Sequence, residues 1–451
     1  MRERPSPRVL PDHEYAALDD WIANEAIPFS LDSAVGFDPA VDRVMASLGD
    51  RVALLGLGEA LHGGDDILLL RNRLFRRLVE AHGYSALAIE SSLPRAQVVN
   101  EYVAGRGPAQ YEDIREAGFS HGFGLLEANR ELVEWMREYN AEPSRRVTLR
   151  FYGFDSPTEM THTDSPRRLL EFVLEYLASV DSASAREHRG RIDPLLGRDA
   201  DWENPAAMMD PAQSMGLSPA ATALRIATED LLADLQARRP ELVAESGEDR
   251  YLEAAHFASA ARQLLNYHAG VAKPGATERI VRLLGMRDAM MADNLAYIVS
   301  RERGRGRVLA FAHNSHLRRG QAEWQLGPHA LAWWTAGAHL DAIFGPYYAV
   351  IGSGVGVSDA NGIGRPEAGT LEARLTAAPG PARFIQTHGG QGLPASEITA
   401  LPTRSGSTKN STYFPLTPRS LTDFDWIVVL DSTGYDRGGP PLLEPDATPE
   451  R

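Results

Sequence analysis

The chain has 451 residues, with 46 Lys plus Arg against 61 Asp plus Glu and a formal net charge of −15. That acidity argues against a nucleic-acid partner, which needs a basic footprint, and is compatible with a neutral or cationic small molecule. The absence of cysteine excludes disulfides, thiolate metal sites and cysteine nucleophiles, while 43% hydrophobic and 24% charged residues exclude disordered and fibrous classes.

The first ten residues, Met1 to Leu10, carry charges with no apolar core behind them, so they do not read as a secretory signal. No run of about 18 apolar residues follows anywhere, so no membrane span is expected and the cytoplasm is the default compartment. Short apolar runs then alternate with longer amphipathic ones. The predicted strands are Val52–Gly58, Ala86–Ile89, Val147–Gly153, Val308–Ala312, Tyr347–Ile351, Phe384–Gln386 and Trp426–Leu430. The predicted helices are Asp65–His82, Leu125–Glu138, Pro166–Ala178, Pro219–Ala237, Arg250–Ala269 and Thr277–Arg301. This alternation predicts an α/β fold with an open, twisted, mostly parallel sheet flanked by helices. From about Pro166 to Arg301 no good strand occurs, which predicts an inserted helical subdomain. The division is therefore 1–165 and 302–432 for the two parts of the α/β core, 166–301 for the helical subdomain and 433–451 for a flexible tail. Within the insertion, the polar segment Ser182 to Ser218 reads as a loop, and the Gly438-Gly-Pro-Pro end reads as frayed.

Ligands of open α/β sheets bind beyond the carboxyl ends of the strands. Four predicted strands end on an ionisable residue: Glu59, Glu90, Asp155 and His313. One such acid is an ordinary helix cap; four together predict a shared cleft. The first strand runs into Gly56-Leu-Gly-Glu59-Ala-Leu-His62-Gly-Gly, in which two glycines permit a tight turn before the helix. Three residues apart, Glu59 and His62 suit a general base oriented by a carboxylate, although a βα loop with an incidental histidine has the same sequence. In the helix that follows, Ile67, Leu70, Leu74, Phe75 and Leu78 form an apolar stripe, and Arg71 falls on or beside it. A buried guanidinium there needs a carboxylate, with Glu59 and Glu90 the nearest candidates; otherwise it snorkels at the stripe's edge.

The fourth strand leads into His313-Asn-Ser-His316. With Glu59, His62 and Glu90, this HxxH supplies either a zinc site of His and carboxylate ligands or a metal-free acid/base pair. Arg287, Asp288 and Asn294, set among apolar positions of the Thr277–Arg301 helix, read as a buried polar network. Gly118-Phe-Ser-His-Gly122 matches G-x-S-x-G but follows no apolar strand, so no nucleophile elbow is expected, although His121 is placed to line the cleft. No phosphate-binding or dinucleotide-binding glycine motif is present. Trp324, Trp333 and Trp334 read as packing for a core or a pocket wall.

In order, Gly58-Glu-Ala-Leu-His-Gly63, Leu70-Arg-Asn-Arg-Leu-Phe75, Ala88-Ile-Glu90, Tyr152-Gly-Phe-Asp155, Arg287-Asp-Ala-Met-Met-Ala-Asp-Asn-Leu295, Ala312-His-Asn-Ser-His316 and Phe344-Gly-Pro-Tyr-Tyr348 resemble the erythromycin esterase family, from roughly Val52 to Leu430. The resemblance implies an α/β core with a helical subdomain and hydrolysis of a macrolactone ester with no cofactor and no obligatory metal. It implies that His62 is the water-activating base and that Glu59, Arg71, Glu90 and His313 complete the polar cluster; in the mechanism this suggests, His313 is placed to protonate the leaving alkoxide. His316, His121, Asp155 and Arg287 are the expected substrate contacts. The expected partner is a small-molecule natural product. The alternatives are a biosynthetic tailoring enzyme using the same cluster for acyl transfer, dehydration or rearrangement, and a metal-dependent hydrolase using Glu59, His62, Glu90 and His313.

Overall fold

All seven apolar runs enter one sheet, because each is short, rich in aliphatic residues and buried along nearly its whole length. The structure, a computed structural model, describes residues 15–158, 162–393 and 395–442; the first ten residues, which do not read as a signal, and residues 443–451 of the predicted tail lie outside the described residues. The strands are β1 (Ala26–Phe29), β2 (Leu54–Glu59), β3 (Tyr84–Ser92), β4 (Arg150–Asp155), β5 (Arg307–His313), β6 (Gln321–Leu326), β7 (His329–Trp334), β8 (Tyr348–Val357), β9 (Ala382–Gln386) and β10 (Trp426–Ser432). Eight of them form a sheet of order β1-β9-β10-β8-β2-β5-β3-β4, and β6 and β7 form a separate antiparallel hairpin. Pairing is parallel from β10 to β4 and antiparallel where β9 meets β10 and β1.

Alternation along the strands sorts side chains to two faces. Leu55, Leu57, Leu87, Ile89, Leu309 and Phe311 pack on helices α2 (Ala34–Leu48), α3 (Asp65–Ala81), α4 (Leu93–Val103) and α5 (Glu127–Ala141), whereas Leu54, Ala86, Ala88, Val308, Ala310 and Ala312 face the other way. The alanines on that second face admit a long helix, Thr277–Glu302, whose Met291, Leu295 and Ile298 lie against them.

Between β4 and β5 the chain is helical among the described residues: α6 (Arg167–Val180), α7 (Ser182–Leu196), α8 (Asp199–Trp202), α9 (Ala206–Met209), α10 (Pro219–Ala237), α11 (Arg239–Ser246), α12 (Glu248–Val271) and α13 (Thr277–Glu302). These helices bury a core of their own around Leu170, Val173, Leu224, Leu231, Phe257 and Leu264. The expectation of a loop over Ser182 to Ser218 is corrected here. Ala185, His188, Ile192 and Leu196 recur at helical spacing on α7, and its stripe is too short and too polar to stand out by hydrophobicity. Asp181 caps the helix by accepting from the backbone N–H groups of Ala183 and Ser184. The tail expectation is likewise corrected as far as residue 442. Tyr435 bridges to Gly64, and Asp436 is buried, so residues 433–442 are packed onto the molecule.

The sheet order decides where the site lies. Strands β2, β5, β3 and β4 are neighbours, so their carboxyl ends, with Glu59, His313, Glu90 and Asp155, stand side by side; Glu59 and His313 are register partners.

Candidate active site

The turn after β2 holds the first pair. Gly63 has φ +75°, a left-handed conformation that turns the chain from His62 into α3. His62 Nδ1 lies 2.6 Å from Glu59 Oε1, and its backbone N–H donates to Thr412 Oγ1 at 2.9 Å. Burial opposes the imidazole's charge, but the adjacent Glu59 carboxylate outweighs it and raises the histidine above its ordinary range. Burial likewise raises Glu59, against the pull of His62. With Nδ1–H committed to Glu59, Nε2 has no protein partner among the described residues, and the side chain is 25% exposed in the wall of a cavity of about 470 Å³.

Glu90 is the hub of the floor. Its Oε1 accepts from Arg287 at 3.0 Å and lies 3.4 Å from His316 Nε2, while its Oε2 accepts the backbone N–H of His313 at 2.9 Å. Burial is unfavourable to its charge, yet His316, His62 and Arg287 hold it well below the usual carboxylate range. On its far side, His316 Nδ1 meets the carboxylate of Asp288, whose other oxygen accepts the indole N–H of Trp333. Flanked by two carboxylates that overcome its burial, His316 is pushed up to about 10, which favours its cationic form at neutral pH. Arg287 also pairs with Asp155 at 2.6 Å, and Asp155 lies 2.9 Å from His121 Nε2.

His313 differs from the other two histidines. Its Nδ1 accepts from the Ser315 backbone N–H at 3.1 Å, and its Nε2 faces the carbonyl oxygens of Thr412 at 2.9 Å and Ala60 at 3.3 Å. These partners fix the neutral Nε2–H form, and burial next to His62 pushes the ring down to about 3. The expected role as acid toward a leaving alkoxide is corrected accordingly: both ring nitrogens are committed and the cationic form is disfavoured.

Two further expectations change. Arg71 is buried on the inward face of α3, but among the described residues no carboxylate accepts from it. Its guanidinium donates to Asn72 Oδ1 and to Asn129 Oδ1 at 2.7 Å and stacks over Phe311. Burial among these neutral partners lowers it to about 10. It borders a small void shared with Glu59 and Glu90 and does not line the main cavity. Asp155 is fully buried beneath Arg287 and His121, holds both side chains and does not line the cavity. His62, Glu90, His121, Arg287, His313 and His316 all line the cavity. Ser120, the serine of G-x-S-x-G, accepts from the Ser92 backbone N–H at 2.9 Å and braces the end of β3, which is a structural task.

The metal-ligand set Glu59, His62, Glu90 and His313 does not gather. Among the described residues, the groups whose ligand atoms converge are Glu90, His121 and Asp155, and, elsewhere, His162, Asp164 and Glu203. The first of these already holds a cation, the Arg287 guanidinium.

The erythromycin esterase family model matches residues 79–433. The chain belongs to the erythromycin esterase family. Erythromycin esterase type II of Escherichia coli is 24% identical over 320 residues, covering 67% of this chain and 69% of its own length. Erythromycin esterase type I of the same organism is 24% identical over 157 residues, 32% of this chain and 37% of its own. Among solved structures, a Bacillus cereus protein has a TM-score of 0.71 at 17% identity, over 94% of this chain and 98% of that one. A succinoglycan biosynthesis protein has 0.69 at 19%, over 95% and 100%. An erythromycin esterase mutant in its open conformation has 0.63 at 19%, over 88% and 94%. At these identities the solved structures establish the shared fold.

In this member of the erythromycin esterase family the cavity walls come largely from outside the sequence motifs. Phe123, Leu126, Leu284, Trp324, Trp333 and Phe414 make an apolar surround, which agrees with the reading of Trp324 and Trp333 as pocket wall. Thr412, in the loop before Phe414, binds His62 through its hydroxyl and His313 through its carbonyl. No sequence signal singles it out, because a threonine in a polar loop has no periodicity to betray it. Asp288 is visible only as a polar residue among apolar ones; its contact with His316 depends on where α13 crosses the sheet. Among the described lining residues Glu90 is the one carboxylate, beside Arg287, His316 and Lys409, while Glu59, Asp155 and Asp288 stand behind the lining.

Proposed function

We propose that this protein hydrolyses an ester or macrolactone of a natural product. Family membership supports a hydrolase-like function, and one observation carries the chemistry: a cavity-lining imidazole with Nδ1 held 2.6 Å from a buried carboxylate and Nε2 without a partner among the described residues. In this reading His62 Nε2 takes a proton from water, and the resulting hydroxide bonds to the substrate carbonyl carbon. The carbonyl π pair moves onto oxygen, where the cations Arg287 and His316 offset the charge. Collapse of the tetrahedral intermediate breaks the bond to the alkoxide, which recovers the proton from His62. Glu59 holds the imidazole and stabilises its cation, and His313 braces the turn through neutral hydrogen bonds. Arg71 acts at one remove, by fixing α3 to α5 beside Glu59.

The test is turnover of erythromycin and related macrolactones in H₂¹⁸O, followed by mass spectrometry. A hydrolase gains one water and places one label in the product acid; His62→Ala should lower the rate by about 10²–10⁴-fold with an unchanged circular dichroism spectrum. A product formed without label would transfer the reading to acyl transfer, dehydration or rearrangement. More than about a tenth of the rate remaining in His62→Ala would remove His62 as the base.

A further inference from the structure

The segment after β10 does more than end the chain. Asp436, 3% exposed, accepts two backbone N–H groups in the first turn of α5: that of Ala128 at 3.1 Å and that of Glu127 at 2.8 Å, the latter shared with the Arg437 carbonyl at 3.0 Å. Its own N–H donates to the carbonyl of Gly63 at 2.8 Å, one residue beyond His62. One residue therefore ties the His62 turn to the helix that carries Asn129, the partner of Arg71. Beside it, the Tyr435 ring lies where a Cβ on Gly63 would stand, 2.5 Å away. The Gly438-Gly439 pair that suggested fraying is a close-approach device. Gly438 has φ +85°, and a Cβ there would stand 1.9 Å from the Leu125 carbonyl; one on Gly439 would meet the Tyr435 ring at 2.7 Å. The chain then presents Pro440, Pro441 and Leu442 to the cavity.

We propose that residues 433–442 are part of the active site: Asp436 is a positioning residue for the His62 turn and α5, and Tyr435 with Pro440 to Leu442 is an apolar wall that selects the size of the ester group bound against it. The selection half rests on the hydrolase reading; the positioning half does not. An apolar wall discriminates by uniform binding, so its loss should appear in KM, whereas misplacing His62 should appear in kcat.

The experiment uses the full-length protein with p-nitrophenyl acetate and p-nitrophenyl decanoate as probes, and amide hydrogen exchange as a readout independent of turnover. Gly438→Ala, which dislodges the wall, and Leu442→Ala, which trims it, should each shift the ratio of the two KM values by about tenfold. Asp436→Ala should lower kcat for both esters by about tenfold or more and speed exchange at Ala128, with Asp436→Asn, which keeps one acceptor, recovering most of both. A KM ratio moved less than about twofold by both wall variants overturns the selection half, and unchanged exchange at Ala128 in Asp436→Ala overturns the positioning half. If the wild type turns over neither ester nor any macrolactone, the hydrolase reading fails and takes selection with it, while exchange still decides positioning.

Discussion

A carboxylate 2.6 Å from an imidazole does two things for a base: it fixes the tautomer and it raises the affinity for the proton that the base must take. Because His62 is raised above 6.5, its neutral, active form appears only as pH climbs through that higher value, so kcat/KM should rise with an acid limb above pH 6.5. Glu59→Gln removes the charge and leaves burial, which lowers the imidazole, as the largest influence. The limb should move to lower pH while the plateau falls by about 10²-fold or more. An acid limb that stays in place would separate Glu59 from the base. The other two histidines make a paired test. Catalysis that needs the His316 cation should decline as pH passes through about 10; this basic limb should vanish in His316→Asn, with kcat down by about 10²-fold, and persist in His313→Asn. At this scale much of the site is legible in the sequence, since Glu59, Glu90 and His313 sit at the ends of apolar runs and strand ends converge in a parallel sheet. Arg71 shows the limit. Periodicity puts it on the inward face of α3 but cannot say that Asn72 and Asn129, and not Glu59, meet it.

Elements position those residues through a few backbone features. The β2–α3 turn depends on Gly63, whose φ of +75° strains any L side chain and whose missing Cβ leaves room for Tyr435. Gly63→Ala should therefore lose about 1–3 kcal/mol of stability in urea unfolding and more than tenfold in kcat, since both the turn and the ring on it must shift; a variant with wild-type kcat would show that the turn has slack. The strands are legible as elements because buried parallel strands are nearly continuous apolar runs. The β1 edge strand and the β6–β7 hairpin are not: β1 is four residues with a proline, and the hairpin, although its Gly327-Pro328 turn is marked in the sequence, alternates buried and exposed positions and so forms no continuous apolar run. Helix α7 escapes for the opposite reason, because its buried stripe is built from alanine and histidine as much as from leucine and isoleucine.

Across the whole molecule, buried ionisable groups set a pH window for stability. Burial pushes His313 down to about 3, and His256 and His268 on α12 down to about 4. Below an unfolded value of 6.5 the unfolded chain takes up three protons that the native state refuses, so this stability is present above pH 6.5 and lost as pH falls toward 4. Burial acts in the other sense on Glu372, raised to about 7 with one carboxyl oxygen unpartnered among the described residues; its contribution is present below 4.5 and lost as pH rises through 7. His316, raised to about 10, contributes fully below 6.5 and loses that contribution between 6.5 and 10. On the acid side three histidines therefore outweigh Glu372 and Glu59, and on the alkaline side His316 and His62 act alone among these groups. Urea midpoints measured across pH should peak between about 6 and 7.5 and decline on both sides. Glu372→Gln, a neutral shape match for the protonated acid, removes an opposing slope and should steepen the acid side; a shallower acid side in that variant would mean that Glu372 is ionised in the native protein.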